Sequence, residues 1–221
     1  MSDSYTGQVR VGGPMDVRRL PGLTIAKLAV GPMDNNAYLL RCTQTDEAML
    51  IDAANDAEDL RSLIVFEGPP VSTILTTHRH ADHWQALEEM VDVAGAAVYA
   101  GEEDADELPV AVDERLHHGD TITLGDLSLE IIALHGHTPG SIAVLYRDPD
   151  CSPHLFTGDS LFPGGVGKTT SPEDFTSLID DVEQRVFDVL PDDTWFYPGH
   201  GNDSTLGEQR PHLADWRARG W

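Results

Sequence analysis

The apolar residues of this chain fall into short strand-like runs, and in both halves those runs alternate with amphipathic helical stretches. The first half carries runs at 23–30, 36–42, 48–53 and 71–77, with a helical pattern at 56–66 between the last two and another at 81–95. The second half repeats the arrangement with runs at 96–100, 121–124, 127–135, 141–146 and 154–158. A long helical pattern at 171–190 and a strand running into a loop at 194–200 follow. Strand clusters interleaved with helices in both halves predict two packed sheets with helices outside. Asp56 and Ser171 are expected to cap the helices they precede, the latter with Pro172 in the first helical position and Asp174 in the third. Gly95 is expected to end the second helix. Residues 1–22, rich in Gly, Ser, Pro and charge, are expected to form a loosely ordered lead-in to a single domain over 23–221.

The loops after the runs carry the chemistry. Residues 76–83 read TTHRHADH, placing His78, His80, Asp82 and His83 between an apolar strand and a helix. His137 follows LSLEIIAL, Asp159 follows HLFTG and His200 follows TWFYP. Each of the later three is flanked by glycine (GHTPG, TGDSLF, PGHG), which lets the backbone bring a short side chain into a crowded centre. One divalent ion takes about three or four N or O ligands, and two ions sharing a bridging atom need about six or seven between them. His78, His80, Asp82, His83, His137, Asp159 and His200 supply seven.

HxHxDH at 78–83, GHTPGS at 136–141, GDSLF at 158–162 and PGHG at 198–201, in this order, resemble the metallo-β-lactamase superfamily. The resemblance runs from about Leu23 to His200 and implies an α/β fold, a four-layer αββα sandwich with its metal site at one edge of the β-sandwich. It implies a first metal on His78, His80 and His137, a second on Asp82, His83 and His200, and Asp159 bridging, with Asp82 and Asp159 as catalytic carboxylates. Two divalent ions are implied, zinc foremost, with iron or manganese as alternatives. Flavodiiron proteins carry Glu in place of His80, and secreted β-lactamases usually carry Cys or Ser in place of Asp159. The chain looks most similar to the hydroxyacylglutathione hydrolases (glyoxalase II) and their short relatives. That implies hydrolysis of a thioester or related ester by a metal-bridging hydroxide. A lactonase is a further alternative. So is a mononuclear non-haem iron persulfide dioxygenase, because His78, His137 and Asp159 alone make a two-His-one-carboxylate triad.

Lys168 lies where glyoxalase-type enzymes have a substrate-contacting basic residue after GDxLF. GGVGKTT is not a phosphate loop, because that motif needs Gly where Phe162 stands. The sequence departs from the glyoxalase branch at Trp84, Gln85 and Ala86, where paired glycines are common, and at Ser141, where many relatives have a second His. Only 21 residues follow His200, so the helical domain that binds glutathione in the long hydrolases is expected to be absent. His117, His118, His135, His154 and His212 are read as surface or structural residues.

Lys+Arg 14 against Asp+Glu 38 gives a net charge of −24, which repels nucleic acid and anionic membranes. The run EEDADE at 102–107 reads as solvated surface. Two cysteines, Cys42 and Cys151, make no metal or disulfide pattern, and no run is long enough to span a membrane. A small-molecule substrate and a cytoplasmic setting are expected, and oligomeric state is not legible.

Overall fold

A computed structural model describes residues 5–148 and 150–220. The first four residues of the lead-in, Pro149 and Trp221 lie outside the described residues. The first sheet contains β1 (Asp16–Arg19), β2 (Leu23–Val30), β3 (Asn35–Cys42), β4 (Ala48–Ile51), β5 (Thr73–Thr76), β6 (Ala97–Gly101) and β7 (Glu114–Leu116), side by side in that order. β1 to β4 pair antiparallel and β4 to β7 parallel. Helices α1 (Ala57–Ile64) and α2 (Leu87–Ala94) make the crossovers around β5 that parallel pairing requires.

The second sheet begins with β8 (Thr121–Leu124), β9 (Leu127–Ala133), β10 (Ile142–Tyr146) and β11 (His154–Gly158). A small hairpin, β12 (Leu161–Phe162) and β13 (Gly165–Val166), leads into α3 (Pro172–Val182). The chain returns as β14 (Trp195–Pro198), parallel to β11, and β15 (Ser204–Thr205), then closes with α4 (Leu206–Gln209) and α5 (Leu213–Arg219). The order across this sheet is β15, β14, β11, β10, β9, β8.

Strand periodicity sorts the side chains into three cores. Ala26, Leu28, Ala37 and Leu39 face α1 and α2, where they meet Leu60, Leu63, Leu87 and Met90. Their neighbours Ile25, Tyr38 and Leu40 face the other sheet and pack on Ile131, Val144, Phe156 and Tyr197. Ala143, Leu145, Leu155 and Phe196 face outward again, under Phe175, Leu178 and Ile179 of α3. The result is the four-layer αββα sandwich. Both faces of the central strands are covered, so they read as continuous apolar runs.

Four local expectations change. Within the expected loose lead-in, Asp16–Arg19 form an edge strand paired with β2. Asp56 precedes α1 in a left-handed conformation (φ 49°) without capping it; its carboxylate accepts from Gly31 N at 2.7 Å instead. Residues 81–83 form one 3-10 turn and α2 begins only at Leu87, because Gln85 N and Ala86 N bond to Ala54 O and Ala53 O at 3.0 Å. The long helix ends its α geometry at Val182 and continues as a π-helical turn over Glu183–Phe187. Ser171 caps α3 as expected, accepting from Asp174 N at 3.1 Å, and Gly95 ends α2 with φ 64°.

Candidate metal centre

Five strands end at one edge of the sandwich, and a residue one to four positions beyond each carboxyl end turns toward a common point. Asp52 follows β4, His78 follows β5, His137 follows β9, Asp159 follows β11 and His200 follows β14. The 3-10 turn after β5 adds Asp82 and His83. All seven residues expected from sequence meet there, in two groups of three linked by a third, His78, His83 and Asp159.

His78 Nε2, His80 Nδ1 and His137 Nε2 form the first group, at 3.1, 2.9 and 3.3 Å from one another. Asp82, His83 and His200 form the second, with Asp82 Oδ2 at 3.5 Å from His83 Nε2 and 3.4 Å from His200 Nε2. Asp159 stands between them, with Oδ1 at 3.4 Å from His83 and Oδ2 at 3.5 Å from His200 and 3.7 Å from His137. Its neighbourhood admits no extra atom. A Cβ at position 199 would lie 2.2 Å from Asp159 Oδ1, and one at 167 would lie 1.8 Å from Asp159 O, so Gly199 and Gly167 are dictated by close approach.

Hydrogen bonds behind these residues fix which nitrogen each imidazole presents. His137 Nδ1 donates to Lys168 O at 2.7 Å and His200 Nδ1 donates to Met33 O at 2.9 Å. A carbonyl can only accept, so Nδ1 carries a proton in both rings and Nε2 is the nitrogen turned to the centre. His83 Nδ1 donates to Asp52 Oδ2 at 2.9 Å. Thr77 Oγ1 donates to the same Asp52 oxygen at 2.8 Å and thereby accepts from His78 Nδ1 at 3.1 Å. Asn35 Nδ2 donates to Asp82 Oδ2 at 2.8 Å.

Three of these supports escaped the sequence analysis. Asp52, held in left-handed backbone (φ 59°) and buried, orients His83 directly and His78 through Thr77. Asn35 is likewise buried. Asp104 comes from the acidic run read as solvated surface, yet it is 1% exposed. Its carboxylate accepts from Arg79 N at 3.0 Å, from Gly140 N at 2.9 Å and from Thr138 Oγ1, tying the HRHADH loop to the GHTPGS loop. No motif marks these residues; Asp52 alone had a sequence signal, a carboxylate at a strand end.

Titration favours ligation in the first group. Burial lowers the pKa of His78, His80 and His137, keeping each ring neutral. Burial would also lower His83, but the Asp52 and Asp159 carboxylates override it and raise its pKa to about 10. Burial works against ionised Asp159, yet the His200 and His83 imidazoles hold its carboxyl well below the usual range.

The donor set fits divalent ions. Three imidazole nitrogens lie within 3.3 Å of one another, a donor set that a divalent cation can take. His83 Nε2 and Asp159 Oδ1 are fully buried and make no hydrogen bond, a costly state unless a ligand completes them.

Comparison with known proteins agrees. The sequence profile of the metallo-beta-lactamase superfamily matches residues 30–200. The chain belongs to that superfamily. Hydroxyacylglutathione hydrolase of Fuscovulum blasticum is 35% identical over 170 residues, 76% of this chain and 62% of that enzyme. The chain therefore spans less than two thirds of the length of this relative. ETHE1 from Myxococcus xanthus shares the fold at TM-score 0.76 with 26% identity, covering 88% of this chain and 84% of that one. A further relative, crystallised in a di-iron-bound form, is 29% identical with TM-score 0.67 over 83% of this chain and 96% of its own.

The remaining histidines lie outside the centre. His135 Nδ1 donates to Asp181 at 2.6 Å, His117 stands 3.5 Å from Asp120, and buried His154 contacts the Tyr197 hydroxyl at 2.7 Å. The Lys168 side chain is exposed, and its carbonyl is what touches the site.

Proposed function

We propose that this protein is a metal-dependent hydrolase that cleaves a thioester or a related ester. The carrying observation is the buried, hydrogen-bond-free pair of Asp159 Oδ1 and His83 Nε2, 3.4 Å apart at the junction of two ligand groups. His78, His80 and His137 would hold one divalent ion and Asp82, His83 and His200 a second, with Asp159 shared; zinc is proposed, iron or manganese being alternatives. Ions so held supply Lewis acidity and bring the pKa of a bound water from about 15.7 toward about 7. The chain's residues do the rest. Asp52, Thr77, Asn35 and the carbonyls of Met33 and Lys168 fix the ligands before substrate arrives. Asp82 stays ionised despite burial, because Asn35 and His83 hold its carboxyl below the usual range. Its Oδ2 accepts from Asn35 and is the oxygen that faces His83 and His200, so Asp82 would serve the second ion as an ionised ligand. A thiolate of pKa about 8.5 leaves without a proton donor, which suits a centre whose titratable groups are all ligands. Lys168 is proposed as a further substrate contact. Two unbridged cysteines fit a cytoplasmic setting.

A second reading follows from His78, His137 and Asp159 as a lone iron triad, with His137 and Asp159 3.7 Å apart. The deciding experiment supplies acyl thioesters, lactones and a persulfide to protein purified without added metal. Thioester cleavage in the absence of oxygen is expected. Oxygen uptake with the persulfide and no ester cleavage would replace the hydrolase with a dioxygenase, and cleavage of lactones alone would narrow it to a lactonase.

A further inference from the structure

Arg79 stands between the ligands His78 and His80, and both of its backbone groups are clamped. Its N–H donates to Asp104 at 3.0 Å, and its carbonyl accepts the Trp84 indole N–H at 2.8 Å. Trp84 lies in the stretch 84–86 where the sequence departs from the resembling branch, and its indole holds the Arg79 carbonyl. Among the described residues the guanidinium itself makes no hydrogen bond. Among the described residues its one carboxylate neighbour within 4 Å is Asp104, 3.7 Å away, and that carboxylate already accepts from Arg79 N, Thr138 Oγ1 and Gly140 N.

This is unusual in a chain with 38 acidic residues and 14 basic ones, where cations find carboxylates readily. Arg19, Arg61, Arg147, Arg210 and Arg217 each hold one within 2.7 Å. The Arg79 side chain is 38% exposed and lines a cleft of about 300 Å³ that reaches His80 and His137. Lys168 does not line it. Glu103 and Asp174 do, and Asp174 accepts from Thr170 at 2.8 Å. The general field of the cleft is therefore not cationic, and an anion is retained there only by direct, paired hydrogen bonds to the guanidinium fork.

We infer that Arg79 is a specificity-determining residue that binds a carboxylate on the thiol half of the substrate. The scissile carbonyl sits between the two ligand groups, and the leaving thiol needs an open path to solvent, which this cleft provides. The inference rests on the thioester reading, so its test is made independent of turnover. Metal-loaded enzyme is titrated calorimetrically with two uncleavable thioethers, S-propyl-3-mercaptopropionate and S-propyl-2-mercaptoethanol. The parent enzyme binds the carboxylate compound more tightly by about 10- to 100-fold, the range of a charge-assisted contact. Arg79→Ala loses that preference, and Arg79→Lys keeps part of it because the charge survives without the fork. Metal content measured in each variant confirms that the ligand loop is intact. Equal binding of the two probes by the parent enzyme overturns the inference, as does a preference that survives Arg79→Ala but disappears in Lys168→Ala. Intact preference with no hydrolysis of the acetyl thioester of 3-mercaptopropionic acid would overturn the hydrolase reading alone.

Discussion

Two buried polar clusters lie within a few residues of each other in this protein and are built on opposite principles. Lys27 faces the layer between the sheets, and its ammonium uses all three hydrogens, on Gly7 O at 2.7 Å, Gly201 O at 2.8 Å and Asp203 Oδ1 at 2.6 Å. The other Asp203 oxygen accepts from Tyr5. Three residues earlier in the chain, His200 belongs to a group in which buried His83 Nε2 and Asp159 Oδ1 face each other without a hydrogen bond. The same edge saturates one set of charges completely and leaves the other incomplete. Incompleteness here is local: the fold can satisfy buried charge, as at Lys27, yet it leaves His83 Nε2 and Asp159 Oδ1 without hydrogen bonds.

The comparison is broken most severely at its incomplete side. Asp159→Ala removes the shared ligand, and hydrolysis is expected to fall below detection with bound metal reduced, read by thioester assay and elemental analysis. Asp203→Ala leaves the Lys27 charge buried without its carboxylate and is expected to cost about 3–5 kcal/mol in urea unfolding. Replacing both partners, Lys27→Met with Asp203→Leu, should recover most of that loss.

Asp52 links the two principles, since it is fully hydrogen-bonded yet serves the incomplete site. Asp52→Asn turns an amide N–H toward donors and is expected to weaken metal affinity about 10- to 100-fold, measured by competition with a chelator. The smallest effect concerns His154, which is buried away from the centre. Burial, assisted by Arg18, lowers its pKa to about 4. The unfolded chain then binds a proton that the fold refuses, so stability falls as pH drops from about 6.5 toward 4, by about 2 kcal/mol at pH 5. His154→Leu should flatten this part of the pH profile of unfolding.

The ligands themselves were legible because each one follows a strand, and strand ends in a two-sheet sandwich converge. The strands were legible because both faces are covered, which makes residues such as those of β2 apolar throughout. What supports the ligands was not. Asp104 is one acid within EEDADE, and only the tertiary approach of Gly140 and Thr138 distinguishes it from its solvated neighbours. Asn35 and Thr77 act through contacts with residues distant in sequence or through a shared carboxylate, which leaves no periodic trace. The late start of α2 has the same origin, since backbone bonds to Ala53 and Ala54 hold residues 85–86 out of the helix so that Asp82 and His83 face the centre.

The most direct measurement is metal stoichiometry by elemental analysis, on the parent chain and on His200→Ala side by side. Two ions per parent chain and close to one per variant chain are expected, because His200 belongs only to the second group while His78, His80 and His137 remain intact. No bound metal in the parent, or two ions retained after His200→Ala, would contradict the assignment of these seven residues to a two-ion centre.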